Sequence, residues 1–137
     1  MYNKILDAVI KKLGDLFPEA QITADPLGTG KITPCFEVGI TQAEEKPVTG
    51  NRYFRSVSIS IMYYPKQSGY TSRDRNQVMD TLMDNLEYIT AADGSIIRGS
   101  MRTAKSQAEA LNFQTDYEMY VLKSSKSEDS MEDIKLS

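Results

Sequence analysis

The sequence predicts an α+β fold: two layers, with an antiparallel sheet of four to five strands covered on one face by two amphipathic helices. Three observations carry this expectation. Two segments repeat their apolar residues with the helical period. Several others alternate apolar and polar residues. The order is helix, strands, helix, hairpin, so that both helices can pack on the same sheet.

The first helix is read over residues 2–16. Ile5, Val9, Leu13 and Leu16 recur at spacings of four and three, Leu6 and Ile10 widen the stripe, and Asp7, Lys11, Lys12 and Asp15 lie largely opposite. Pro18 ends it. Residues 21–24 suit a short strand, and "DPLGTGK" (25–31) is turn-rich. In "PCFEVGITQ" (34–42), Phe36, Val38 and Ile40 fall on one parity and Cys35, Glu37, Gly39 and Thr41 on the other, the pattern of a half-buried strand. "AEEKPVTGN" carries the charges, proline and glycine of a loop.

A longer strand follows in "NRYFRSVSISIMYYP". Val57, Ile59, Ile61 and Tyr63 are expected to face the helices, and Ser56, Ser58 and Ser60 the other way. "KQSGYTSR" reads as a polar loop. The second helix is read through "TSRDRNQVMDTLMDNLEYI", with Ser72 or Thr71 as cap, Asp74 in its first turn, and Val78, Leu82 and Leu86 with Met79, Met83 and Ile89 as its stripe. Residues 95–105 and 110–123 form a hairpin. In its second arm Leu111, Phe113, Thr115, Tyr117, Met119 and Val121 share a face, against Asn112, Gln114, Asp116 and Glu118. Gly99 inside the first arm predicts a bulge or a close backbone approach.

The chain divides into one α+β domain over 1–123 and an acidic, flexible tail over 124–137. In the tail Lys126 and Lys135 face Glu128, Asp129, Glu132 and Asp133, a balance of −2 out of a net −3 for all 137 residues. Met131, Ile134 and Leu136 offer the tail points at which it could fold on a neighbour. The N-terminus mixes acidic and basic residues and lacks the apolar block of a signal peptide, so a cytosolic product is expected. No run approaches the length of a membrane span, and no membrane partner is expected.

Composition narrows the chemistry. The chain has no histidine and a single cysteine, Cys35, so the commonest general base, an intramolecular disulfide and thiolate zinc sites are all excluded. "GTGK" (28–31) lacks the spacing of a phosphate-binding loop and reads as a turn feeding a strand. The pairs Asp116/Glu118 and Asp80/Asp84 could serve acid–base work or a cation, but fall on polar faces. Cys35 reads as a packed core residue. No catalytic residue, cofactor or metal is expected.

The remaining concentration is of arginine and tyrosine. Arg52, Arg55, Lys66, Arg73 and Arg75 interleave with Tyr53, Phe54, Tyr63, Tyr64 and Tyr70. That mixture binds single-stranded nucleic acid in some proteins and anchors protein interfaces in others. The acidic balance favours the interface, and Arg52, Tyr53, Arg55, Tyr64, Lys66, Tyr70 and Arg73 are its candidates.

The succession of "PCFEV", "NRYFRSVSISIMYYP", "LMDNLEYI", "GSIIRGSMRTAKSQAEA" and "LNFQTDYEMYVLK" resembles the tail terminator (tail completion) proteins of tailed phages and Bacillus-type prophages, over about residues 2–123. The resemblance implies a structural virion protein, not an enzyme. It would be assembled in the bacterial cytoplasm into the tail, cap the head-proximal end of the tail tube, end its polymerisation and join it to the head connector. It further implies self-association into a ring, commonly a hexamer. The tail tube protein and a head–tail connector protein would be its partners, with DNA only passing through the channel. A neck (connector) protein, or a small nucleic-acid-binding module, is the alternative.

Overall fold

The structure, a computed structural model, describes residues 1–25, 32–66, 72–107 and 110–123. The "GTGK" turn, Tyr70, Thr71 and the acidic segment 124–137 lie outside the described residues.

Helix α1 (Tyr2–Leu16) buries Ile5, Ala8, Val9 and Leu13. It stops where Phe17 leaves helical geometry while still donating its N–H to Leu13 O at 2.8 Å, and Pro18 cannot continue it. The strands are β1 (Gln21–Thr23), β2 (Cys35–Thr49), β3 (Arg52–Tyr64), β4 (Tyr88–Thr90), β5 (Ile96–Ser106) and β6 (Leu111–Leu122), with α2 (Ser72–Asn85) between β3 and β4. They form one six-stranded sheet in the order β1-β2-β3-β6-β5-β4.

The α+β class is as expected, but the sheet is larger than four to five strands, and it is mixed. The additional strand is β4, and β1 runs parallel to β2, with Ile22 beside Phe36; every other pairing is antiparallel. Two local readings are corrected with it. The segment read as a loop, 43–51, is almost all strand: β2 continues to Thr49 and turns into β3 through Gly50 and Asn51 alone, with Gly50 at φ +55°. Residues 86–89 are not the end of the second helix. The helix stops at Asn85, and Tyr88-Ile89-Thr90, β-branched and aromatic, pairs with Ile96–Arg98. Leu86 and Ile89 are still fully buried, which is why a helical stripe could be traced through them.

The core lies between the helices and one face of the sheet. Ile5, Val9 and Leu13 of α1 and Val78 and Leu82 of α2 meet Phe36 and Val38 of β2, Val57, Ile59 and Ile61 of β3, and Leu111, Phe113 and Tyr117 of β6. The parity read for β3 is observed: Val57, Ile59 and Ile61 are fully buried and Tyr63 packs at the margin. Cys35 is fully buried as well.

Gly99 marks both features its type suggested. The β5–β6 register shifts between Gly99 and Met101. A Cβ at Gly99 would stand 3.2 Å from Thr115 Oγ1 and 3.4 Å from Tyr117 Cε1. Both neighbours sit on a buried strand and yield little, so Gly99→Ala should lower stability by about 1–2 kcal/mol through overpacking. A urea midpoint unchanged from wild type would contradict this.

Candidate interaction surfaces

The helical layer covers only part of the long strands. The last fully buried pair along β3 and β6 is Val57↔Tyr117; beyond it Arg52–Ser56 pair with Glu118–Leu122 and with the exposed half of β2. The result is a three-stranded arm, roughly 17 Å long at about 3.4 Å per residue. Its hairpin tip is fastened by Lys123, whose N–H donates to Asn51 O at 2.9 Å, and by Asn51 Nδ2, which donates to Lys123 O at 3.0 Å.

The arm has two different faces because side chains alternate along each strand. On the helix side stand Tyr53, Arg55, Glu45 and Lys123. Arg55 reaches Glu45 with Nε at 3.0 Å, and Lys123 also donates to Glu45. The Lys123 hydrogen bond, helped by Arg55, holds the Glu45 carboxyl below its ordinary pKa against its own desolvation. Lys123 Nζ lies 4.3 Å from the Tyr53 ring centroid, and Arg55 stacks 5.2 Å from that of Tyr2, which fixes the first residue of α1 to the arm. On the opposite face Phe54 and Tyr120 meet edge-on at 5.2 Å, with Lys46 over Phe54 at 5.8 Å and Arg52 over Tyr120 at 5.4 Å. Tyr120, Leu122 and Val48 are exposed there.

The candidate residues thus separate into two places. Arg52, Tyr53 and Arg55 belong to the arm. Tyr64 and Lys66 lie at the other end of β3, about 30–40 Å away along the strand. There Tyr64 is half-buried, its hydroxyl 3.5 Å from Glu37 Oε1, and Lys66 is exposed. Arg73, also exposed, opens α2. Lys66 joins Leu16, Phe17, Glu19, Pro34, Tyr63, Pro65, Asp74, Gln77, Val78 and Thr81 around an open groove of about 510 Å³ between the two helices. Tyr70 lies outside the described residues.

The sequence reading did not include the arm residues from other strands: Lys46, Glu45, Tyr120, Leu122 and Lys123. The signal that finds them is register. With Gly50-Asn51 as a two-residue turn and the ladder slipping by one residue at Val48, Lys46 falls opposite Phe54 and Glu45 opposite Arg55.

Asp80, Asp116 and Glu118 are surface or half-buried side chains. Among the described residues no three His, Cys, Asp or Glu side chains are grouped to hold a metal ion. No described helix is long and apolar enough to cross a membrane.

Sequence comparison places the chain among the structural proteins of phage tails. The sequence model of the family described as phage tail terminator protein matches residues 4–129, and the chain belongs to that family. No curated protein matches it. One solved structure aligns over 93% of this chain and 99% of its own at 11% identity, with a TM-score of 0.37, too low to bear on the fold. The resemblance drawn from the sequence phrases therefore holds at the level of the family, and the corresponding place is the virion.

Proposed function

We propose that this protein caps the head-proximal end of a phage or prophage tail tube, ends the tube's polymerisation and joins it to the head connector. The observation that carries the reading is the family match across 4–129. The fold supplies means that suit the task. A terminator must bind two unlike partners, and the chain presents two chemically distinct regions at opposite ends of β3: the cation–aromatic arm, and the Tyr64/Lys66/Arg73 end with its groove.

The working form is a ring of copies, a hexamer, assembled in the host cytoplasm from the domain 1–123 with 124–137 as an acidic extension. Ring closure requires each copy to offer two different patches to its neighbours. A chain with a net charge of −3 lets DNA pass with few phosphate contacts.

Tails grown without the protein should show tubes of uncontrolled, excessive length in electron micrographs, and supplying it should restore a uniform length. Tails of normal length that fail only to join heads would instead assign it to the neck. Normal tails and normal joining would overturn both assignments.

A further inference from the structure

The arm leaves two strand edges unpaired among the described residues. β6 loses its outer neighbour where β5 departs at the Gly99 bulge: β5 pairs with β6 only from Gly99↔Tyr117 onward, while Ile96–Arg98 turn to β4 and Gly99 N–H donates to Glu87 O. An open notch of about 460 Å³, lined by Glu87, Arg98, Gly99, Ser100, Arg102 and Glu118, marks the divergence. On the other side of the arm, β2 beyond Glu37 has no outer neighbour among the described residues, since β1 pairs only with Cys35–Glu37.

Which backbone groups face these edges follows from one hydrogen bond. Lys123 N–H points at Asn51 O, toward β3. Antiparallel strands alternate inward and outward positions. Hence Met119 and Val121 also bond to β3, and Glu118, Tyr120 and Leu122 turn N–H and C=O outward. The same alternation makes Gln42, Glu44 and Lys46 bond to β3 and turns Ala43, Glu45 and Pro47 outward. Pro47, which has no N–H to give, therefore sits where it costs no ladder bond within the chain.

Free edges are normally shielded by charge, proline or a bulge. On β2 the charges of Glu44, Glu45 and Lys46 oppose pairing with a second β2 edge, while Ala43 and Glu45 still turn N–H and C=O outward and only Pro47 lacks a donor. The β6 edge, "EMYVL", has a single charge and no proline, and its Tyr120 and Leu122 are 63% and 73% exposed.

We propose that this edge is the joint between copies: residues 118–122 of β6 pair in parallel with residues 43–47 of β2 in the next copy, so that successive arms form one continuous sheet. The proposal rests on the ring reading and adds to it the surface and the strand polarity. Three features select a second copy as the occupant. One chain carries both halves of the joint, on opposite sides of one arm. β2 and β6 are each antiparallel to β3, hence parallel to each other, and rotation about an axis along the strands brings them together in that sense. The two edges also stand at the same height, because Lys46 and Tyr120 both lie opposite Phe54, and Glu45 and Met119 both lie opposite Arg55. Lys46 of the next copy then falls beside Tyr120, within the stagger by which strands tilt in a closed sheet.

The test uses the full chain, alone at high concentration and with purified tail tubes. Native mass measurement reads assembly. Amide hydrogen exchange should show Glu118, Tyr120 and Leu122 protected only in the assembled form. A mixture of Lys46→Cys and Tyr120→Cys chains should form disulfide-linked pairs under mild oxidation, and neither alone should. Leu122→Pro deletes an outward N–H and spares the β3 ladder, so it should weaken assembly about ten-fold or more with an unchanged circular dichroism spectrum.

Assembly that leaves these amides exchanging freely would overturn the joint and leave the ring standing. Cross-linking by Tyr120→Cys alone would replace it with a two-fold β6–β6 contact. Protection already present in the monomer would mean that the chain covers its own edge, and would likewise overturn it. A chain that stays monomeric even on tubes would remove the ring reading and the joint together. If Leu122→Pro does not fold, the exchange and cross-linking results decide alone.

Discussion

Phe36→Ala should remove a large share of the protein's folding stability. Phe36 is fully buried, and its ring lies 4.8 Å from both Phe17 and Tyr63. Four elements meet there: the end of α1, β1 through the Ile22 pairing, β2 itself, and β3 through the Tyr63 pairing. Truncation removes the transfer free energy of the ring, leaves a cavity that β2 cannot close without parting from both neighbours, and breaks two aromatic contacts. Phenylalanine-to-alanine changes in cores cost about 3–5 kcal/mol against a total stability of about 5–15 kcal/mol for a domain. Chemical denaturation of the wild type and variant checks this. A loss below about 1 kcal/mol would mean that the site collapses around the deletion and that the α1–β2 junction is not a fixed part of the core. Because Phe17 and Tyr63 also line the groove between the helices, the same change should disturb that surface even in molecules that remain folded.

How far the sequence alone leads depends on whether a segment is buried on one face. The helix over 2–16, the inward parity of Val57, Ile59 and Ile61, and the hairpin ending in β6 all lie under or against the helical layer, where burial imposes a period. The second half of β2 does not. Residues 41–49 are exposed throughout, because the arm projects past the helices and water reaches both of its faces. Nothing there forces an apolar alternation, and Pro47 reads as a loop signal although its position on a free edge makes it compatible with a strand. The end of α2 was obscured for the opposite reason: Leu86 and Ile89 are buried either way, and a spacing of three fits both a helix and the turn into β4. The candidate surface was half legible for a related reason. Arg52, Tyr53 and Arg55 are adjacent in sequence and easily noticed, whereas Lys46, Tyr120 and Lys123 join them only through strand register.

Tyr117 explains how the arm is held at its base, and titration should expose it. Its ring is fully buried, opposite Val57 on one side and Gly99 on the other, and its hydroxyl donates to Leu86 O at 2.7 Å. That bond satisfies a carbonyl freed where α2 gives way to β4, and so ties the helix end to the strand from which the arm extends. Burial pushes the phenol up to about 12, with the Thr115 hydroxyl and the Arg102 charge pulling weakly the other way. The folded pKa is thus above the ordinary value near 10, so the folded state holds its proton longer than the unfolded state does. The contribution is complete below pH 10 and is lost as pH rises through 12, about 2–3 kcal/mol in all. Tyr117→Phe carries no such proton. Near pH 8 it should be less stable than wild type by about 1–3 kcal/mol, having left Leu86 O unpaired in the core. Between pH 10 and 12 the gap should narrow by about 2 kcal/mol, because only the wild type must strip or bury a phenolate. Paired urea unfolding curves across that range give the measurement. A stability difference that stays constant from pH 9 to 12 would show that the phenol is neither desolvated nor bonded to Leu86, and the arm's base would need another anchor.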